Sequence, residues 1–368
     1  MSLAGQWRGF DTDGYQVILD LDEFADHYGG TASRWIFNQN LPCAYTFVKL
    51  SKEVHRSRQL IKLRISYVDQ IGYDLTDSKI NEWEASGYYF DRDMEFNVSY
   101  DSGSIFIKWS SRGHEASVNL KNYSNIRLDV TLEDSIKTWD GFKNYVNRLD
   151  YRRFIFRGHE SNRWSLKSTF YRAGRSDLYR YAAIDCNDLA NLMTSSTGQI
   201  WKTSDELQYA ALLNLAQHHG YPTPLLDWTW SPYVAAFFAY RKISGVISEA
   251  ERVRIYLLDA DEWNKLPRVS RVVMSPPHVS ILQALPLLNN RMISQQAIST
   301  LSNVDVLESH IRGIENSLNK TFLRAIDLPA NERGAIMKDL ELMGITAGSM
   351  FPGLDGGCEA LMERNFRR

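Results

Sequence analysis

Alternating apolar and polar positions dominate the first third of the chain. Segments with this period of two, or rich in β-branched and aromatic residues, predict strands at 14–22, 44–51, 60–68, 93–111 and 116–123. The run YDSGS at 100–104 has the Asp/Gly composition of a hairpin turn, and SKINEWEASG at 78–87 favours a helix. Several short strands joined by turns predict a β-sandwich or a small barrel over residues 1–128.

The pattern changes near residue 129, after which strands and helices alternate. Strands are predicted at 152–158, 252–260 and 320–328, helices at 135–149, 203–220, 231–243 and 331–345, and an irregular or strand-like segment at 290–301. This order predicts an α+β fold for residues 129–368. No linker rich in Gly, Ser or Pro separates the two parts, so we expect them to be in close contact.

Helix boundaries carry specific signals. Thr203 and Glu206 have the spacing of a capping box, and Gly220 stands where a glycine commonly ends a helix. Ser231 followed by Pro232 predicts an N-cap and a first-turn proline for the next helix. The small and aromatic residues of that helix predict close packing against a sheet.

Composition narrows the classes of function. The 368 residues include 42 Lys and Arg against 44 Asp and Glu, a net charge of −2 that does not favour tight binding to a nucleic-acid backbone. Three separated cysteines without a CxxC motif argue against a disulfide framework and a zinc ribbon. Without a signal-peptide pattern or an apolar run of membrane-spanning length, a cytoplasmic protein that does not enter the membrane is expected. The usual dehydrogenase, kinase, hydrolase and metalloprotease motifs are also missing from the sequence.

Arg157 lies in the strand-like segment FIFRG, whose apolar residues draw it towards the interior. A buried guanidinium is rarely left without a partner. Two interpretations are open: a clamp for a phosphate or another anion, or a structural ion pair, for instance with Asp227. Gly158, the next residue, allows another backbone or a ligand to approach closely.

The densest cluster of polar and aromatic residues is QHHGYPTPLLDWTWSPYVAAFFA at 217–239. His218 or His219 could serve as a general base or metal ligand, or simply interact with the last carbonyl groups of its helix. No other His or Cys stands at ligand spacing, so we expect no metal.

Asp227 stands between Leu226 and Trp228, and a carboxylate in such an apolar setting must find hydrogen-bond donors. The predicted helix that begins near Ser231 has a partly positive N-terminal end. Asp227, Thr229 and Ser231 therefore lie beside a natural anion site. Alternatively, Asp227 only stabilises the turn that leads into the helix.

Four separated motifs, in order across about residues 135–360, together resemble the FRG domain family. They are FRG at 156–158, the 217–239 cluster, NRMISQQA at 290–297 and LMGITAGSMFPGLDG at 342–356. The positions that match the family pattern are Arg157, Trp164, Arg172, His218, Gly220, Pro222, Thr223, Asp227, Trp228, Thr229, Pro232, Arg291, Gln296, Phe351 and Asp355. The chain departs from it at Pro224, His219 and Ala297, and residues 1–128 are not covered.

FRG domains resemble NAD-using ADP-ribosyltransferases in outline, and this resemblance implies a set of site residues. The catalytic candidates are Arg157, Asp227, Gln296 and His218, and the ligand-binding candidates are Gly158, Arg172, Thr223, Trp228, Thr229, Ser231 and Arg291. The same resemblance implies NAD as a possible cofactor. Arg157 would hold the pyrophosphate, Thr229 or Ser231 would shape the nicotinamide pocket, and Trp228 or Tyr221 would stack on the ring.

One departure from the transferases concerns their catalytic glutamate. The matching motif reads Gln295-Gln296, and a glutamine cannot offset the positive charge that develops on the ribose. Either another carboxylate, Asp227 or Glu359, takes this part, or the domain binds its ligand without this chemistry.

Three hypotheses therefore remain open. The first is a toxin-like bacterial or phage-defence effector with ADP-ribosyltransferase-like or NAD-cleaving activity, acting on a macromolecular acceptor or a nucleotide-like small molecule. The second is a non-catalytic module that binds a nucleotide-like ligand or another protein. In the third, the motifs are architectural and function lies in the β-rich part or at an interface. We expect the β-rich part to be a sensor for a protein or a trigger ligand.

Overall fold

The computed structural model describes residues 2–36, 41–52, 59–69, 73–101, 103–123, 130–245, 248–266, 273 and 275–367. The strands of the first part are β1 (Gly5–Phe10), β2 (Gln16–Glu23), β3 (His27–Trp35), β4 (Cys43–Ser51), β5 (Gln59–Arg64), β6 (Ser66–Val68), β7 (Asp93–Tyr100), β8 (Ser104–Ser111) and β9 (His114–Asn122). Helix α1 (Asp77–Ala85) lies between β6 and β7 and is capped by the Thr76 side chain.

These strands form one antiparallel sheet in the order β5-β7-β8-β9-β1-β2-β3-β4-β6. The sheet curls until β5, at one edge, comes alongside β4. Side chains bridge the remaining gap: Thr46 donates to the Arg64 carbonyl oxygen at 2.8 Å, and Gln59 bonds the backbone of Ser51. The result is a nearly closed barrel, hereafter the barrel, rather than a sandwich.

The alternation predicted this part well. The segment 93–111 is the hairpin of β7 and β8, although Ser102 in its turn lies outside the described residues. The segment 60–68 is interrupted at Ile65, so that β5 and β6 occupy different places in the sheet. The β1 and β3 strands were not predicted.

Residues 131–329 contribute the second sheet. Its strands are β10 (Thr131–Leu132), β11 (Phe154–His159), β12 (Leu225–Thr229), β13 (Arg252–Asp259), β14 (Val279–Leu282), β15 (Ala297–Ser302) and β16 (Leu323–Pro329). The order is β10-β16-β13-β11-β12-β15-β14, with β10 and β16 parallel and the other neighbours antiparallel. Together with the surrounding helices it gives the α+β architecture that the sequence predicted.

The helices of this part pack around the sheet. They are α2 (Trp139–Val146), α3 (Thr169–Arg172), α4 (Leu178–Arg180), α5 (Cys186–Thr197), α6 (Glu206–His218), α7 (Pro232–Tyr240), α8 (Ala260–Trp263), α9 (Arg291–Ser294), α10 (Leu307–Leu318), α11 (Arg333–Leu342), α12 (Ala347–Met350) and α13 (Leu354–Phe366). A π-helical turn (Tyr181–Asp185) joins α4 to α5, and a 3-10 turn (Ala330–Glu332) precedes α11. Within the described part of the chain, no helix has both the length and the apolar character needed to cross a membrane.

The boundaries of α6 and α7 test the cap predictions. Ser231 accepts a hydrogen bond from the Val234 amide and Pro232 occupies the first turn, as predicted. Gly220, with a φ of +87°, follows α6. The capping box of Thr203 and Glu206 is wrong, because Asp205 caps the helix by accepting from the Gln208 amide. A carboxylate next to the first turn supplies that cap directly.

Three other predictions are corrected. The helix expected at 135–149 is limited to α2. The segment 290–301 divides into the short helix α9 and the strand β15. Asp227 lies within a strand, β12, rather than in a turn, because Leu225–Thr229 pairs along its whole length with β15.

The two parts are in close contact, as the lack of a linker predicted. Arg8 of β1 is buried and bonds Asp305 and Ser309, at 3.2 and 2.7 Å. On β2, Asp22 pairs with Arg175 and accepts from the Ser176 amide. Charged groups on the outer face of the barrel are thus used to join it to the rest of the chain.

Asp20 lies at the same junction and accepts from Gln6 Nε2 at 2.9 Å and Ser176 Oγ at 2.6 Å. Its removal from water outweighs these bonds and raises the pKa of its carboxyl group to about 7. The folded chain therefore binds this proton more tightly than the unfolded chain does. Stability should fall as the pH rises from about 4 through 7.

We expect Asp20→Asn to remove this dependence, because an amide oxygen can still accept from both donors. Between pH 5 and pH 8 the variant should gain about 1–3 kcal/mol of stability relative to the wild type. Urea unfolding at a series of pH values measures the difference. Parallel pH profiles for the two proteins would contradict the assignment.

Candidate active-site cleft

A cleft of about 950 Å³ opens beside β11 and β12. Its walls come from these strands, the loop between β11 and α3, the end of α6, helix α7, and residues around Arg291 and Phe351. This volume falls at the upper end of the range for small-molecule sites. Hereafter we call it the cleft.

The three residues of the FRG motif, Phe156, Arg157 and Gly158, contact both the hydrophobic core and the cleft. Phe156 is buried in the cluster that includes helix α7. At Gly158, a Cβ atom would lie 1.9 Å from the Ala235 carbonyl oxygen and 2.8 Å from the Ala239 nitrogen. The glycine is therefore required because a helix backbone lies directly on the strand, which is one of the two close approaches considered from the sequence.

Arg157 is partly buried where it borders the cleft. Its Nη1 donates to the backbone carbonyl oxygen of Asp227 at 2.5 Å, and its Nε donates to His159 Nε2 at 3.0 Å. Desolvation lowers the pKa of Arg157 to about 10, so the group stays charged at neutral pH. In the described structure the guanidinium forms no ion pair with the Asp227 carboxylate, which corrects the structural alternative drawn from the sequence.

His159 fixes the orientation of that guanidinium. Its Nδ1 lies 3.4 Å from the Trp164 carbonyl oxygen, so the neutral tautomer with the proton on Nδ1 leaves Nε2 to accept from Arg157. Burial and the neighbouring charge of Arg157 lower the pKa of His159 well below its usual value. The imidazole is therefore a neutral acceptor that positions Arg157.

A chain of side chains holds Asp227. Thr223 donates its hydroxyl proton to Gln217 Oε1, and Gln217 Nε2 donates to Asp227 Oδ2 at 2.5 Å. This leaves Oδ1 of Asp227 without a protein donor in the part of the chain that the structure describes. Asp227 lines the cleft, so its carboxylate is oriented and still able to accept from a bound molecule.

His218 also lines the cleft, at the last residue of α6. Burial lowers the pKa of His218, the Asp227 carboxylate opposes this shift, and Arg291 adds to it. Its Nδ1 atom is buried without a hydrogen-bond partner among the described residues. The imidazole is therefore neutral at pH 7, but the unused nitrogen is covered by protein and is not accessible to a molecule in the cleft as a proton acceptor.

Positive charge is concentrated in this cleft although the whole chain is slightly acidic. Among the described residues that line the cleft, only Glu160 and Asp227 bring carboxylates. The seven basic residues that line the cleft are Arg157, Arg163, Lys167, Arg172, Arg241, Lys242 and Arg291. Arg241 forms a bidentate pair with Glu359.

The structure brings most of the residues predicted for the site together. Eight of them line the cleft: Arg157, Gly158, Arg172, His218, Asp227, Trp228, Thr229 and Arg291. Gln296 does not line it: its side chain is exposed and its backbone has a φ of +47°. The adjacent Gln295 lines the cleft instead and donates to the Met350 carbonyl oxygen.

Several of the polar candidates are engaged in the fold. Thr223 is fully buried behind Gln217, and Ser231 caps α7. Thr229 donates to the Gln295 carbonyl oxygen at 2.7 Å. The buried indole of Trp228 bonds Thr300 at 3.1 Å, and Tyr221 packs beside α6 away from the cleft lining.

Other residues of the cleft were not singled out from the sequence. Gln217, His159, Glu160, Arg163 and Lys167 all line it. Strand alternation places His159 on the same face as Arg157, which is a signal that the sequence did contain. Gln217 gave no such signal, because its partner Asp227 is reached only after the chain turns from α6 into β12.

No group of three or more His, Cys, Asp or Glu side chains that could hold a metal ion occurs within the described ranges. The donor set of the cleft, mostly guanidinium and ammonium groups, is suited to an anion.

Comparison with known families confirms the resemblance over the first two motifs, whereas the motifs at 290–297 and 342–356 lie outside the matched residues. Residues 152–245 match the family model of the FRG domain, and the N-terminal region matches no family. The chain carries an FRG domain. No curated protein and no solved structure matches the chain.

The matched segment runs from the start of β11 past the end of α7 and therefore contains Arg157, His218 and Asp227. Arg291, Gln295 and Phe351 complete the cleft from outside it. The FRG domain thus supplies strand β11, the Asp227 carboxylate and helix α7. Residues from Arg291 onwards form the remaining wall of the cleft.

Gly158→Ala should destabilise the protein by at least about 3 kcal/mol, because the added methyl group would overlap the α7 backbone. The matched control is Gly313→Ala in α10, where nothing lies within 4 Å of the added atom and helix propensity should raise stability by up to about 1 kcal/mol. Chemical denaturation distinguishes the two. Equal effects would show that the close approach at Gly158 is not a constraint.

Proposed function

We propose that the cleft binds a nucleotide-like ligand through its phosphate groups, with Arg157 as the central anchor. The observation that carries this proposal is the excess of basic side chains without acidic partners. Arg157, Arg163, Lys167, Arg172 and Arg291 line the cleft, and none of them forms an ion pair with a described carboxylate.

Mutual repulsion among these groups supports an anionic ligand. The charge of Arg172 contributes to the lowered pKa of Arg157, and that of Arg291 contributes to the lowered pKa of His218. A bound phosphate would relieve this repulsion, and guanidinium groups match its oxygens with paired hydrogen bonds. Arg157 keeps hydrogen atoms for this purpose after its bonds to His159 and Asp227.

Aromatic rings at the same cleft suit the remainder of a nucleotide. Trp164 is 53% exposed and its ring centroid lies 6.2 Å from that of His159. Phe351 also lines the cleft, and the guanidinium carbons of Arg241 and Arg291 lie 4.0 and 5.5 Å from its ring centroid. Exposed aromatic faces bind nucleobases by stacking, so base and phosphate sites would lie within one cavity.

Calorimetry with ADP, NAD and adenosine tests the binding proposal. We expect ADP and NAD to bind, with affinities that fall as salt is added, and adenosine to bind much more weakly because it has no phosphate. Arg172→Gln should weaken the binding of ADP about 10–100-fold, since a charged hydrogen bond is lost. Arg172 is exposed and has no hydrogen-bonded side-chain partner among the described residues, so the fold should tolerate this change.

The matched control is Arg148→Gln, an exposed arginine that does not line the cleft. It should leave the dissociation constant within about twofold of the wild type. Equal affinity for adenosine and ADP, or equal effects of the two substitutions, would refute phosphate recognition by the cleft.

A second candidate function, cleavage of NAD at the nicotinamide bond, is favoured by Asp227. Its carboxylate is oriented by Gln217 within a cleft of opposite charge, which is how a group that stabilises a developing positive charge on ribose would be placed. Glu359, the other carboxylate considered, is already paired with Arg241.

Asp227→Asn tests this candidate separately from binding. The amide oxygen can still accept from Gln217, so NAD should bind within a few-fold of its normal affinity while release of nicotinamide falls by at least about 100-fold. Chromatography of the reaction mixture measures the product. Absence of nicotinamide with the wild-type protein would reject cleavage and leave the binding proposal standing.

A further inference from the structure

The barrel contains a second cavity, remote from the cleft in sequence and in its lining. Its volume is about 290 Å³. A cavity of about 150 Å³ can hold benzene, so this one has room for about a dozen non-hydrogen atoms. Protein interiors normally leave few voids larger than a water molecule. A space of this size is therefore a feature of the barrel rather than ordinary imperfect packing.

The wall of this cavity is made by the inward-facing side chains of the barrel strands. Leu19, Leu63, Phe96, Val98, Ile107 and Trp109 are representative. The same residues belong to the hydrophobic cluster of the barrel or pack against it. Apolar contact is consequently the main interaction that the cavity offers.

The charged side chains that line this cavity already have partners within the barrel, including Asp91, which pairs with Arg112 at 3.6 Å. Arg34 bonds Asp11 at 2.6 Å and Asp13 at 2.8 Å, and His114 Nε2 lies 2.9 Å from Asp13. The Arg34 guanidinium also lies 3.7 Å from the centroid of the Tyr15 ring. A charged ligand would have to compete with these pairs while losing its own hydration, so the lining favours an uncharged molecule.

Partly exposed aromatic residues lie where the cavity meets solvent. Tyr88 and Tyr89, just beyond α1, line the cavity and are 41% and 65% exposed. The Arg112 guanidinium lies 4.3 Å from the centroid of the Tyr89 ring. Phe90 continues this rim and meets Tyr67 edge to face at 4.7 Å. The apolar interior is thus connected to a rim of rings that can contact a planar molecule as it binds.

We propose that the interior of the barrel is a binding site for a small, uncharged, predominantly aromatic molecule of about a dozen non-hydrogen atoms. This site is separate from the cleft and does not depend on its function. The barrel would bind its ligand through apolar surface and aromatic rings, whereas the cleft would bind a ligand through negative charge.

Titration with 2-naphthol, measured by calorimetry at pH 7, tests this proposal on the full chain. The probe is neutral, aromatic and close to the size of the cavity, and 2-naphthoate is the matched probe that carries a negative charge. We expect 2-naphthol to bind with one-to-one stoichiometry. We expect 2-naphthoate, which the basic cleft also attracts, to displace bound 2-naphthol only at a concentration at least tenfold above the dissociation constant of 2-naphthol. No binding of 2-naphthol by the wild type would overturn the proposal.

Strand β5 offers a matched pair of variants, because Leu63 faces the cavity whereas Leu60 is 58% exposed on the other side. Leu63→Trp should fill the cavity and weaken the binding of 2-naphthol at least tenfold. Leu60→Trp, the same replacement on the outer face, should change the affinity by less than twofold. Equal effects of these two variants would reject the barrel interior as the site.

A measurement on the wild-type protein covers the case in which Leu63→Trp does not fold. With methyl groups of Leu and Val labelled, intermolecular NOEs from 2-naphthol should reach Leu19, Leu63 and Val98. NOEs to Leu225 and Leu226 instead would place the probe in the cleft and refute the proposal. Arg172→Gln should leave the binding of 2-naphthol unchanged, so failure at the barrel and failure at the cleft are distinguishable.

Discussion

The contact between β11 and α7 is the constraint on which the rest of the FRG domain depends. Because Gly158 has no side chain, the Ala235 carbonyl oxygen can lie where a Cβ atom would otherwise be. Helix α7 therefore packs directly on β11, and its N-cap Ser231 follows β12 by two residues. Because side chains alternate along a strand, Arg157 lies on the face of β11 opposite to that of Gly158. The position of the cleft relative to the sheet follows from this one approach of two backbones.

Charge gives the cleft its chemical character. Although the chain has slightly more acidic than basic residues, the part that the structure describes places seven basic side chains and two carboxylates around one cavity. Net charge could not reveal this, since the basic residues are spread over more than a hundred positions. The histidines do not add to this charge, because the lowered pKa values of His159 and His218 keep both imidazoles neutral at pH 7.

Much of the fold was predictable where the pattern is local. Alternation identified most of the barrel strands, and Ser231 with Pro232 marked the start of α7 because the cap needs only neighbouring residues. The short strand β12 was missed, since the prolines at 222 and 224 are typical of a turn and its pairing partner β15 is some 70 residues away. The resemblance to the FRG family predicted that Arg157, His218 and Asp227 share one site. It could not predict the hydrogen bonds by which Gln217 links Thr223 to Asp227.

Strand β2 has no face that is free of neighbours. Leu19 points into the barrel, while Asp20 and Asp22 contact Ser176 and Arg175 of the FRG domain. A chain that began at residue 129 would therefore expose the groups that β1 and β2 now cover, including the buried Asp305 that pairs with Arg8. The barrel thus covers charged groups of the segment that matches the FRG family model, although that match begins only at residue 152.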